Sequence, residues 1–324
     1  MSQRADEAPI PVTVIGGYLG AGKTTLLNQL LHHNQGQRTA VLVNDFGAVS
    51  IDAQLITSHE GDTISLANGC ICCSLAAGFL NVLTALRARV PAPERIVVEA
   101  SGVALPQKIA QYGRLPGFRL EGVIVLVDAE TIRTRACDRL VGKTVRRQLE
   151  GADLLVLTKT DLISAQETAA VRAWLRARVP DTPLVMAEQG HVPLSVVFGA
   201  GAAAPPSEAR GLPEDAALPH DIAHDTVSLR WEQPVPEDAF QAFAAALPTT
   251  VLRGKGIIWL AEHPDRQMIF QRVGKRWSLT PGDRWGAEPA ATHVVFIGPA
   301  GALDAEQVRR QFMTTVGDDS LSNN

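Results

Sequence analysis

Two stretches of this 324-residue chain carry residue types at spacings that do chemistry. The first is Gly17-Tyr18-Leu19-Gly20-Ala21-Gly22-Lys23-Thr24, which fits the pattern G-x-x-x-x-G-K-[ST] in full. Its glycines let the backbone curl until successive N–H groups converge, and a lysine ammonium joins them. That is a cradle for a polyphosphate. Lys23 would neutralise β and γ oxygens, Thr24 would offer a hydroxyl to Mg2+, and a helix starting here would add its positive end. Ala21 and Thr25 complete the expected phosphate contacts. The second stretch is Asn68-Gly69-Cys70-Ile71-Cys72-Cys73. Three thiols this close would repel as thiolates unless a cation neutralised them. In extended chain Cys70 and Cys72 share a side, whereas in a helix Cys70 and Cys73 are neighbours. Either a loop gathers all three around one ion, or two bind and the third guards or exchanges. Thiolates suit Zn2+, Co2+ or Cu+, and an open fourth position would suit handing the metal on. The plainer alternative is a redox pair or an inert apolar loop.

Three further segments belong with the phosphate cradle. Thr158-Lys159-Thr160-Asp161 ends an apolar run, where Asp161 could accept from guanine N1–H and the exocyclic amine together, and the Lys159 stem could cover the base. Adenine offers no such pair. The stretch resembles the Asn-Lys-x-Asp guanine reader of P-loop GTPases, in which an asparagine amide braces the loop where Thr158 stands here. Val97-Val98-Glu99-Ala100-Ser101-Gly102 supplies a carboxylate that could hold Mg2+ through water, and a Gly102 N–H that could sense a γ-phosphate. Asp128 ends another apolar run and reads more readily as a structural cap than as a catalytic group. These segments make GTP the expected nucleotide.

Such loops need a scaffold. Short β-branched runs (12–15, 39–43, 95–99, 122–128, 153–158 and 183–186) alternate with helix-like stretches (24–32, 79–89, 144–150, 165–178 and 193–198). Apolar strands alternating with helices predict an α/β fold: a parallel sheet with helices on both faces. This domain is expected over 1–200, with about the first nine residues flexible. Residues 201–219 are rich in Ala, Pro and Gly without periodicity and read as a linker. A small α+β domain is expected over 220–313, as a mixed sheet with helices on one face, and 314–324 as a disordered tail. Trp231, Trp259, Trp277 and Trp285 lie there, as core or as partner surface.

Composition removes other classes. Thirty basic and 34 acidic residues give a net charge of -4, which argues against broad capture of nucleic acid or an anionic membrane. No run approaches the ~20 apolar residues a membrane span needs, and the first residues lack an apolar signal core. Four cysteines, three of them clustered, suit a reducing compartment and a cytoplasmic protein.

The quoted motifs, together with Val43-Asn44-Asp45-Phe46-Gly47 and the C-terminal Leu252-Arg253-Gly254-Lys255-Gly256-Ile257-Ile258-Trp259, resemble the CobW-like family of P-loop GTPases, relatives of the GTPases that mature urease and hydrogenase. The resemblance spans most of residues 10–300. It implies GTP hydrolysis coupled to loading zinc or cobalt into a client metalloprotein or an enzyme of the cobalamin pathway; a homodimer is allowed for. It also implies that Asn44 to Asp52 is a switch segment, with Asp45 or Asp52 near Mg2+ or its waters. Lys23, Thr24, Asp45, Glu99 and Gly102 then form the hydrolytic set. Ala48 replaces a family carboxylate, and Leu105 stands before Pro106 where an Asp is usual. His191, His220 and His224 read as solvated loop residues. No arginine is evidently aimed at the phosphates, so hydrolysis is expected to be slow without a partner. Two rivals remain at this level: a nucleotide-gated regulatory module with structural cysteines, and an ATP-dependent kinase or ATPase.

Overall fold

The computed structural model describes residues 8–32, 38–44, 63–66, 76–187, 191–192, 194–198, 224–286, 289–299 and 301–317. The chain divides into two compact units, Met1–Val192 and Pro193–Asn324.

In the first unit seven strands form one sheet in the order β3-β2-β4-β1-β5-β6-β7. These are β1 (Ile10–Gly17), β2 (Thr39–Asn44), β3 (Thr63–Leu66), β4 (Arg95–Glu99), β5 (Phe118–Asp128), β6 (Leu154–Thr158) and β7 (Leu184–Met186). Every pairing is parallel. All five residues of β4 and of β6 are buried, as continuous apolar runs in a sheet covered on both faces require. Between the strands run α1 (Lys23–His32), α2 (Ala76–Ala88), α3 (Pro106–Ala110), α4 (Ile132–Cys137), α5 (Gly142–Glu150) and α6 (Ala165–Arg178). One core gathers Val14, Leu42, Val98 and Val125 with Phe79 and Leu83 of α2, Leu149 of α5 and Leu175 of α6. Leu26, Leu27, Leu30 and Leu31 are equally buried but stand outside that cluster, which puts α1 on the other face. α6 starts at a full capping box: Ser164 accepts from the Glu167 N–H while Glu167 accepts from the Ser164 N–H.

The second unit differs from the expected mixed sheet. Its five strands, in the order β11-β10-β9-β12-β8, are paired antiparallel throughout. They are β8 (His224–Trp231), β9 (Arg253–Trp259), β10 (Arg266–Val273), β11 (Arg276–Arg284) and β12 (Thr292–Pro299), with α7 (Leu194–Phe198), α8 (Glu237–Ala246) and α9 (Ala305–Gly317). α8 and α9 cover one face, where Phe240, Phe243, Phe270, Phe296 and Phe312 pack edge to face. A side chain at Gly254 would come within 3.0 Å of Phe296 and 3.1 Å of Phe270, so glycine there makes room for the rings.

Two expectations shift. α7, expected to close the first domain, groups with the second unit, where Arg253 Nε donates to Val196 O at 2.5 Å. Residues 314–317, expected in a disordered tail, continue α9. Val308, Phe312 and Val316 recur at helical spacing, and all three are buried. Trp231 and Trp277 pack against the core, Trp231 edge-on to Phe312 at 6.0 Å.

Candidate nucleotide site

The proposed phosphate loop turns straight out of β1. Gly17 has φ +135°, and a Cβ there would stand 2.6 Å from Leu126 O on β5, so both backbone conformation and space demand glycine. Gly20 and Gly22 follow at φ +79° and +94°. Ala21 N donates to Tyr18 O at 3.1 Å, closing a turn inside the loop, and Leu26 N donates to Gly22 O at 3.0 Å as α1 winds up. Lys23 is 7% exposed and its Nζ donates to Gly17 O at 3.1 Å, which keeps the ammonium within the curl. Thr24 is half-buried and Thr25 exposed at the helix start. The first N–H groups of a ten-residue helix, a buried cation and three glycines therefore meet at one strand end.

The neighbouring strands deliver the other groups to the same carboxyl edge. Glu99, 2% exposed, ends β4 in register with Ile15 of β1 and Val43 of β2. The chain then turns through Ser101 and Gly102. A Cβ on Gly102 would fall 2.6 Å from Leu19 Cδ2 and 2.9 Å from Leu19 N, so this glycine lets the turn lie directly against the loop. Gln148 of α5, fully buried, donates to Gly102 O at 3.0 Å and Ala104 O at 2.7 Å and fixes that turn. Thr24 and Glu99 supply hard oxygen donors beside a phosphate cradle, a donor set that fits Mg2+.

On the other side β6 ends in Thr158, whose Oγ1 lies 3.0 Å from Ala21 O and 3.2 Å from Val127 O. The hydroxyl thus braces the phosphate loop from the position where the sequence lacks an amide. Lys159 adopts the left-handed conformation (φ 59°, ψ 32°), alone among the described non-glycine residues. Its Nζ meets Asp128 Oδ2 at 2.8 Å. Burial alone would push the Asp128 carboxyl up. The Lys159 ammonium, with a hydrogen bond from the Glu130 N–H, outweighs it and holds the carboxyl below the usual range. Asp128, read from sequence as a cap, is thus also the counter-ion of the residue expected to cover the base. Asp161 stands exposed in the 3-10 turn Thr160–Leu162. Carboxyl ends of adjacent parallel strands are where such sheets bind ligands, and Gly17–Lys23, Glu99, Asp128 and Lys159 gather at that edge.

Asp45, Ala48, Asp52, Cys70, Cys72, Cys73 and His220 lie outside the described residues. Among the described residues no group of three or more His, Cys, Asp and Glu could hold a metal ion. His191 is exposed, and His224 opens β8 opposite Pro299. No helix among the described residues is long and apolar enough to cross a membrane.

Fold and loop together define a P-loop nucleotide-binding domain followed by a small antiparallel domain. The chain belongs to the CobW/HypB/UreG family: residues 11–186 match its nucleotide-binding domain, and residues 224–316 match the cobalamin synthesis protein CobW C-terminal domain. It is 32% identical to the zinc chaperone CobW of Sinorhizobium sp over 91% of this chain and 94% of the relative. It is likewise 32% identical to the zinc chaperone YjiA of Escherichia coli K12 over 94% and 98%. A crystal structure of Zn(II)-bound YjiA GTPase from E. coli aligns at 25% identity and a TM-score of 0.46, over 95% of this chain and 99% of that one.

Proposed function

We propose that this protein is a GTP-hydrolysing metallochaperone that takes up a transition metal at Cys70, Cys72 and Cys73 and passes it to a client protein. The observation that carries the reading is the shared strand edge, where the glycine loop with buried Lys23, the buried Glu99 carboxylate and the turn that begins at Lys159 come together. Zinc is favoured as cargo over cobalt because relatives covering nearly the whole chain are named zinc chaperones.

In this reading Lys23 and the N–H groups of 17–24 hold the β and γ phosphates, and the Lys159 stem, steered by Asp128, flanks the guanine that Asp161 selects. Thr24 and Glu99 hold Mg2+, which when bound supplies charge neutralisation at the phosphates. Gly102 N–H senses the γ-phosphate, and the turn against Leu19 transmits its presence. Asp45 and its segment join the site from 44–52. The Cys-x-Cys-Cys stretch lies in sequence between that switch and Glu99, so a triphosphate that orders both ends tightens the thiolate cage, and hydrolysis loosens it. Linkage then requires metal to tighten GTP binding by the same factor.

The test is zinc affinity of the full chain with a non-hydrolysable GTP analogue, with GDP and without nucleotide. Affinity should be highest with the analogue, by about tenfold or more over GDP. Equal affinities in the three states would remove the coupling. Displacement of labelled GTP by excess ATP would remove the guanine assignment.

A further inference from the structure

Arg135 of α4 reaches the phosphate loop although the sequence offers no sign of it. Its Nη1 donates to the carbonyl of Leu19, and its guanidinium lies over the Tyr18 ring, 5.0 Å from the centroid. The base of this arm is firm. Ile132 and Ala136 of the same helix are buried, Arg135 N donates to Thr131 O at 2.9 Å, and Arg146 of α5 donates to Ala136 O.

Leu19 C=O and Gly20 N–H belong to one planar trans peptide and point in opposite directions. Gripping the oxygen therefore fixes where the Gly20 N–H points. The Ala21 N–H to Tyr18 O bond closes a four-residue turn with either orientation of this central peptide, and nothing crowds Gly20, which has φ +79° and whose Cβ would find no heavy atom within 4 Å. A peptide flanked by such a glycine turns at small steric cost. The charged donor also polarises the peptide and makes its N–H a stronger donor. Leu19 is moreover the residue against which Gly102 packs. One guanidinium thus bears on the loop tip that would cradle the phosphates and, through Leu19, on the turn that would sense the γ-phosphate.

We propose that Arg135 is a positioning residue for GTP hydrolysis, locking the Leu19–Gly20 peptide so that Gly20 N–H faces the polyphosphate and Leu19 stays seated on the Gly102 turn. This rests on the reading that residues 17–24 hold GTP. Full-length wild type, R135A and R135K are compared in single-turnover hydrolysis at saturating Mg-GTP, in GDP affinity, and in thermal midpoint without nucleotide. In R135A the saturated rate should fall about tenfold and GDP affinity about threefold, with the midpoint unchanged. R135K, lacking the planar fork that spans carbonyl and ring, should recover only part of the rate. Wild-type rate and affinity in R135A, with or without a lowered midpoint, overturn the assignment and leave Arg135 a purely structural residue. Should R135A not fold, R135K decides: a reduced saturated rate supports the role, and a wild-type rate overturns it. A wild type that neither binds nor hydrolyses GTP overturns the underlying reading and this inference with it.

Discussion

Both units bury cations, and they use them in opposite ways. In the first, Lys23 is buried at the start of α1 among the loop glycines, and the half-buried Lys159 pairs with Asp128 just beyond β6, both at the carboxyl edge of the sheet. In the second, Arg272 on β10 is buried beneath α8 and donates to Ala244 O at 2.6 Å and Leu247 O at 3.3 Å. Gln311 of α9 adds a bond to Ala246 O at 2.9 Å. Together they satisfy the Ala244, Ala246 and Leu247 carbonyls at the end of α8, where a helix leaves carbonyls without partners of its own. Burial pushes the Arg272 guanidinium down to about 10, so it stays charged at neutral pH. A buried charge is therefore no marker of a functional site by itself. What separates the two is the company: left-handed glycines and neighbouring strand ends in one case, a helix terminus in the other.

Substitutions can break this contrast. Lys23→Ala should weaken GTP and GDP binding by about a hundredfold or more while leaving the thermal midpoint nearly unchanged, as read by equilibrium titration and calorimetry. A variant that unfolds instead would make Lys23 resemble Arg272. Arg272→Met should do the reverse. Two carbonyls at the end of α8 lose their donors, costing about 2 kcal/mol in denaturant unfolding, while nucleotide affinity holds. The smallest effect belongs to Asp128→Asn, which should weaken GDP binding about fivefold by releasing Lys159, since a partly exposed ion pair contributes modestly. The pH dependence has a definite sign. Asp128 is held below its unfolded value, so its pairing stabilises the fold above the ordinary carboxylate range and is lost as pH falls through the lower folded value. The stability difference between wild type and Asp128→Asn should accordingly shrink below about pH 4. A difference that persists there would mean the pair is not what Asp128 contributes.

Most of the scaffold was legible because a two-sided parallel sheet writes itself as continuous apolar runs. β4 and α6 fall where the pattern puts them, residue for residue. The elements without such a signature are the ones sequence reading missed. β3 is a four-residue edge strand. β11 contains Pro281 and Gly282, residues disfavoured within strands yet tolerated on an edge where the register slips between Arg266 and Met268. α3 and α4 span five and six residues, too short for a 3.6-residue period to repeat twice. Missing α4 is also why Arg135 was invisible, since a guanidinium 116 residues from Leu19 has no local motif to announce it. The phosphate loop was legible because its chemistry is contiguous. The Asp128–Lys159 pair was not, because it joins two strand ends that only the sheet order makes neighbours.

The Thr158 hydroxyl has one proton and two carbonyls within reach, one on the phosphate loop and one on β5. Donated to Ala21 O, the nearer of the two, it ties the segment expected to read the base to the segment expected to cradle phosphate. Guanosine and pyrophosphate offered as separate fragments would each load only one end of that tie. Their summed binding free energies should then fall short of that of the intact nucleotide by more than the entropy of tethering alone, and the shortfall should narrow when Thr158 is replaced by valine.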